Sequence, residues 1–212
     1  MHSNDDGNLE DLLNPRQPGW SLPQPFYTSP AVHESDLEHV YGRNWLYAGP
    51  SCRAEKSGDW FSFEVGRNAL IVIRGKDGAV RALHNVCRHR GSRLCTAGHG
   101  HAKKLVCPYH QWVYGADGAL CHAHTMPENF DRGAFGLKQA RAREVEGLIF
   151  VALSEDAPDF ERFAADVAPY VEAHGFAHAR VAYAQTYRVQ ANWKLVVENS
   201  RECYHCPNGH PE

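Results

Sequence analysis

The chain has 212 residues, 43% of them hydrophobic, enough for one large domain or one and a half ordinary ones with a core. A formal net charge of −3 argues against general polyanion binding, so no nucleic-acid partner is expected. No apolar run approaches the length of a membrane span, and Met1 to Leu12 is acidic and polar, without the apolar stretch of a secretion signal.

Residues 1–30 are rich in Pro, Asn, Asp and Ser and read as an extended arm with little core of its own. Ser35 to Asn44 reads as a helix, with Ser35 as N-cap and Leu37, Val40 and Tyr41 on one face. From Trp60 the chain turns to strands: Trp60 to Val65, then Ala69 to Arg74, a Lys76-Asp77-Gly78 turn, and Ala79 to Leu83. Trp112 to Tyr114 and Ala119-Leu120, joined through Gly115-Ala116-Asp117-Gly118, form a second hairpin. After Gly147 a strand from Leu148 to Leu153 closes the sheet. The pattern then becomes helical from Asp159 to Ala173, with Phe160, Phe163, Val167, Tyr170 and Val171 on its period and His174-Gly175 at its end. A strand from Val181 to Val189 and a helix from Ala191 to Cys203 complete the series. The expected division is an arm and helix at 1–44, a β domain at 45–155 and the start of a further domain at 156–212.

Within the β domain lie Cys87-Arg88-His89 and, 17 residues on, Cys107-Pro108-Tyr109-His110, the pattern C-x-H-x17-C-x2-H. A Rieske-type [2Fe–2S] centre takes two thiolates on one iron and two imidazoles on the other. Each segment supplies one of each, from loops at strand ends where backbone N–H groups can point at sulfur. Arg90-Gly91 and Gln111-Trp112, which follow the two pairs, add to the likeness with Rieske proteins. Zinc also accepts Cys₂His₂, but its familiar spacings keep like residues together. A Cys87–Cys107 disulfide is open on spacing alone, though it leaves both histidines without a role. Between His84 and His110 stand Arg88, Arg90, Arg93, Lys103 and Lys104 with no acidic residue. That is either an ordinary solvated surface or a fixed positive field that stabilises added electrons and attracts an acidic donor. Free thiols beside an iron–sulfur motif fit a reducing cytoplasm.

The last segment runs Asn192-Trp193-Lys194 through Glu198-Asn199 to Glu202, His205 and His210. On a continuous helix Glu202 and His205 share a face, and a turn through Pro207 and Gly209 could return His210 toward His205. Two histidines with a carboxylate form the facial triad that holds Fe(II) and leaves positions open. The two packed or surface histidines of an ordinary helix end are the plain alternative.

Taken together, these motifs resemble the large (α) subunits of the Rieske non-heme iron oxygenases, the aromatic ring-hydroxylating oxygenase family, over the whole chain. The resemblance implies an α+β fold: an antiparallel Rieske domain followed by the start of an α/β helix-grip catalytic domain. It implies Cys87, His89, Cys107 and His110 as cluster ligands, His205 and His210 as ligands of a mononuclear Fe(II), and Glu202 as the acidic bridge carrying electrons between subunits. It implies a homotrimer, a ferredoxin and/or flavin reductase as donor, and O2 with a small organic substrate, without a membrane partner. Two features depart from the naphthalene-type pattern: the bridge is Glu rather than Asp, and Glu198-Asn199 lies one residue closer to it. With the run Arg201-Glu202-Cys203-Tyr204-His205-Cys206, both are more similar to the branch acting on glycine betaine and carnitine. The family's third iron ligand, a distal Asp, has no match up to Glu212. The chain therefore reads as an N-terminal portion that carries the cluster but is inactive alone. A Rieske ferredoxin without catalysis and a non-enzymatic zinc module are the other readings. A ferredoxin has no need of the Glu202–His210 segment, and a zinc module would be colourless.

Overall fold

The computed structural model describes residues 9–202 and 206–209. The chain divides into two compact units, His39–Tyr183 and a unit built from both ends, Met1–Glu38 with Ala184–Glu212.

The larger unit holds ten strands: β1 (Leu46–Pro50), β2 (Asp59–Val65), β3 (Asn68–Arg74), β4 (Val80–His84), β5 (His99–His101), β6 (Leu105–Val106), β7 (Val113–Tyr114), β8 (Leu120–His122), β9 (Gln139–Val145) and β10 (Leu148–Ala152). Seven form an antiparallel sheet in the order β1-β10-β9-β4-β3-β2-β5, and β6-β7-β8 form a small second sheet. The strands expected from Trp60, Ala69, Ala79, Trp112 and Leu148 are all present within a residue or two. The fold class is α+β.

The apolar run of β3 explains why the sheet is buried on both faces. Successive side chains of a strand point to opposite sides. Leu70 and Val72 enter one core with Phe61, Ala82, Ile149 and Val151, whereas Ile71 and Ile73 enter another with Trp60, Leu83, Leu105, Tyr114 and Leu120. The second core joins the two sheets and includes Cys87 and Cys107. Each fully buried side chain of this size contributes roughly 1.5–3 kcal/mol, so the sulfurs sit in the best-packed part of the molecule. Between β9 and β10, Glu146 and Gly147 both take positive φ (45° and 80°), the turn that suits a two-residue hairpin. A Cβ at Gly147 would lie 2.4 Å from the Phe176 backbone, which demands glycine there.

A helix follows in the larger unit, α4 (Phe160–Val171), capped by Asp159, whose carboxylate accepts from the Glu161 N–H at 3.2 Å. Its Phe160 and Phe163 pack on Phe150 and Trp45. The end-built unit contains short helices α1 (Leu9–Leu13), α2 (Pro25–Thr28) and α3 (Pro30–Ser35), then α5 (Trp193–Arg201) and α6 (Cys206–Gly209).

Three expectations change. The helix expected to start at Ser35 begins at Pro30 instead, because Ser29 caps the Val32 N–H and Pro30 takes the first helical position. Ser35 ends that helix, the backbone continues as one π-turn (Asp36–Tyr41), and Val32 and Asp36, four apart, are the buried positions rather than Val40. The strand expected over 181–189 is irregular, with Tyr183 79% exposed. A strand needs a neighbour to take its backbone hydrogen bonds, and none pairs with it among the described residues. Helix α5 stops at Arg201, so Glu202 lies outside it as an extended C-cap (φ −108°, ψ 127°).

Candidate metal centre

The two Cys/His segments fall on loops that leave β4 and join β6 to β7, and both loops turn by the same hydrogen bonds. In the first, the Cys87 N–H donates to the Ser92 carbonyl at 2.8 Å and the Gly91 N–H to the Cys87 carbonyl at 2.9 Å. In the second, the Cys107 N–H donates to the Trp112 carbonyl at 2.8 Å and the Gln111 N–H to the Cys107 carbonyl at 3.1 Å. The fifth residue of each turn is left-handed, Gly91 at φ 74° and Gln111 at φ 60°. Glycine adopts that conformation freely, whereas a side chain there costs about 1 kcal/mol. Each turn presents its cysteine inward; histidine follows two residues later in one and three later in the other.

The loops bring the four predicted side chains together. Cys87 and Cys107 are 2% and 1% exposed and are free thiols, with no disulfide between them. The His89 and His110 rings lie edge to face with centroids 4.7 Å apart. His89 stacks flat on the buried Trp112 indole at 4.8 Å and 9°, and the Tyr109 ring covers His110 at 3.8 Å. Burial pushes the Cys87 thiol up; hydrogen bonds from Tyr114 and the His89 backbone act against it. Burial opposes ionisation at Cys107 too, but the His110 and Tyr109 backbone N–H groups bring that thiol below its ordinary value. Partial burial, then the His110 ring and the Arg90 guanidinium, lower His89 from the ordinary histidine value, which favours the neutral form that can offer an electron pair.

Tyr114 and Asn85 hold this arrangement from beneath. The Tyr114 hydroxyl lies 3.3 Å from Cys87 Sγ and accepts the Arg88 N–H at 3.1 Å, which leaves its own proton free to point at sulfur. Burial first, and the Cys87 sulfur second, push the Tyr114 phenol well up, so it remains a donor. Asn85, 2% exposed, accepts the Leu94 and Cys95 N–H groups, both at 2.9 Å, and donates to the Cys95 carbonyl at 2.7 Å. One amide thus ties the far end of the first loop to its start. The sequence pattern marks Tyr114 only as a strand residue and does not single out Asn85. The signal for Tyr114 is its place two residues after Trp112, since alternate residues of an extended segment share a face and both enter the same core.

Two buried polar atoms here, His110 Nδ1 and Trp112 Nε1, have no hydrogen-bond partner among the described residues. Buried polar groups are nearly always satisfied, so a ring nitrogen left open next to a second imidazole is available as a ligand. Two thiols and two imidazoles match the donor set of a Rieske [2Fe–2S] group. Around them Val86, Val106 and Tyr109 are exposed, as are Arg88, Arg90 and Arg93. Arg93 pairs with Glu64 at 2.5 Å, while Arg88 and Arg90 have no carboxylate partner among the described residues.

The second predicted group is only partly described. Glu202 is half-buried and, with Leu195, Glu198, Asn199 and Arg201, lines an open hollow of about 740 Å³. His205 and His210 lie outside the described residues.

A sequence model of the Rieske [2Fe-2S] domain matches residues 44–141, and one of the ring hydroxylating alpha subunit (catalytic domain) matches residues 176–212. The chain is 46% identical over 203 residues to the glycine betaine monooxygenase oxygenase subunit of Pseudomonas aeruginosa (strain UCBPP-PA14), covering 95% of this chain and 47% of that protein. It is 35% identical to the carnitine monooxygenase oxygenase subunit of Escherichia coli (strain K12), covering 93% of this chain and 54% of that one. The crystal structure of the quaternary ammonium Rieske monooxygenase CntA with L-carnitine superposes with a TM-score of 0.84 at 31% identity, over 91% of this chain and 56% of that one. The chain thus spans about half the length of the curated relatives it matches.

Proposed function

From the premise that this chain belongs to the Rieske ring-hydroxylating oxygenase α-subunit family, we propose that it is the N-terminal part of a terminal oxygenase. Its domains are the arm and helix at 1–44, the Rieske domain at 45–155 and the opening of the catalytic domain at 156–212. Cys87 and Cys107 hold one iron of a [2Fe–2S] cluster and His89 and His110 the other. His205 and His210 hold Fe(II), and Glu202 bridges them to a Rieske histidine of a neighbouring subunit. When bound, the cluster stores one electron at a time and the mononuclear iron supplies open positions for O2. The chain's own residues do the rest. Packing around Cys87 and Cys107 excludes water, backbone N–H groups and Tyr114 neutralise charge on sulfur, and the half-exposed imidazoles are where electrons enter and leave. Arg88 and Arg90, without a carboxylate partner among the described residues, attract an acidic donor, a ferredoxin or flavin reductase. The substrate is a quaternary ammonium compound, hydroxylated or N-demethylated in the cytoplasm by a homotrimer. The 46% identity to the glycine betaine monooxygenase oxygenase subunit, against 31% for a biphenyl dioxygenase α subunit, favours it over an arene.

What supports this reading is the pair of matched turns, with Cys87 and Cys107 buried in one core, the His89 and His110 rings 4.7 Å apart, and His110 Nδ1 unpartnered among the described residues. Anaerobic reconstitution should give a brown protein with iron and acid-labile sulfide in equal amounts. Its potential should fall within about −150 to +300 mV. Iron and sulfide at background levels would sink the proposal.

A further inference from the structure

The Asn192-Trp193-Lys194 run that opens α5 has a use that the redox reading does not absorb. Asn192 caps the helix, its Oδ1 accepting the Lys194 N–H at 3.0 Å, and its Nδ2 donates to the Tyr27 carbonyl at 3.2 Å. Trp193 Nε1 donates to Asp36 Oδ2 at 3.0 Å. Lys194 Nζ donates to the Phe26 carbonyl at 3.3 Å and forms an ion pair with Asp36. One turn on, the Tyr27 hydroxyl donates to the Glu198 carboxylate at 2.9 and 3.1 Å. All three side chains of the run are therefore bonded to residues 26–36. Lys194 and Glu198, four apart, share one helical face, so both grips act on the same side of α5.

Asp36 is 8% exposed, and both side chains of its ion pair with Lys194 are largely buried. A buried pair is weak evidence for stability, since apolar groups of the same volume often serve as well. What it supplies is direction. Two donors from adjacent residues meet on a single carboxylate oxygen, and that is met at only one rotation of α5 about its axis.

We propose that Asp36 is a positioning residue that acts through Trp193 and Lys194 to set the rotation of α5, with the 26–36 segment as a clamp on that helix. Helix α5 carries Glu198 and Asn199 and delivers Glu202 to the hollow that these residues line. The consequence for a second iron rests on the function proposed above; the clamp does not.

The test is hydrogen exchange of the cluster-loaded chain, read by peptide. Asp36→Asn leaves the Lys194 charge buried without its counter-charge and should speed exchange across 193–201 at least tenfold. Exchange across 59–74 and the Rieske EPR spectrum should not change. Asp36→Asn combined with Lys194→Gln, which keeps polar partners without a buried charge, should restore most of the protection. Unchanged exchange at 193–201 in the single variant overturns the proposal. So does equal acceleration in both regions, which means general destabilisation, and so does a double variant as fast as the single one. If the clamp passes while the chain shows no Fe(II) binding attributable to His205 and His210, the second-iron reading fails on its own.

Discussion

At the scale of single residues, the candidate centre depends on donors that have no ligand role. The Tyr114 hydroxyl faces Cys87 Sγ while accepting the Arg88 N–H. A donor to a ligand sulfur favours the more negative, reduced state of the group it holds. If that preference is worth about 1 kcal/mol, as for an ordinary hydrogen bond, Tyr114→Phe should shift the potential negative by about 40 mV with the spectrum otherwise kept. An unchanged potential in a protein-film titration would remove Tyr114 from this role. Glu202 is a second residue whose proposed part can be separated from its surroundings. In the longer protein, Glu202→Gln should keep the cluster spectrum and both iron sites yet lose nearly all turnover. Glu202→Asp, one methylene shorter, should keep part of it. Near wild-type turnover with coupling intact in the Gln variant would return the residue to a surface role, where an exposed ion pair is worth little.

At the scale of elements, the two matched turns differ in how they are secured. The second is short and bounded by β6 and β7, whereas the first must return from Cys87 to β5 over a long irregular stretch. Asn85 compensates by satisfying three backbone groups of Leu94 and Cys95. Asn85→Ala strands those groups, and at about 1 kcal/mol or more for each, the variant should lose on the order of 3 kcal/mol. Loss of the cluster should accompany the drop in Tm, because Cys87 and His89 ride on the same loop. A variant that melts like the parent and holds its iron equally long would show that the loop is secured elsewhere. Elements also mark where sequence reading stopped short. Ser29-Pro30 is as good a helix start as Ser35, and only packing decides that Val32 and Asp36, rather than Leu37 and Val40, face inward. The alternation of Val181, Tyr183, Tyr187 and Val189 is a strand pattern without a partner strand among the described residues, and propensity alone does not make a strand.

At the scale of the whole molecule, all four proposed cluster ligands lie in the larger unit, so the proposal separates electron storage from turnover. A facial triad needs a carboxylate beside its two histidines. The chain spans about half of its relatives, and the resemblance places that carboxylate in the distal half. Reduced, cluster-loaded chain exposed to O2 should therefore release no product from glycine betaine, carnitine or simple arenes in a single-turnover assay. Stoichiometric hydroxylation would show the distal half to be dispensable. The sequence by itself pointed to the family and a candidate ligand set and determined the strand grammar of 59–152, because donor type and spacing are chemical requirements of the group proposed and period-two burial is local to each strand. Only the tertiary structure decided what Asn192, Trp193 and Lys194 grip, which hydroxyl stands at Cys87, and that Glu202 lies outside α5. Each of these depends on segments far apart in the chain, Asp36 with Lys194 and Cys87 with Tyr114, whose meeting is set by packing that no local pattern encodes.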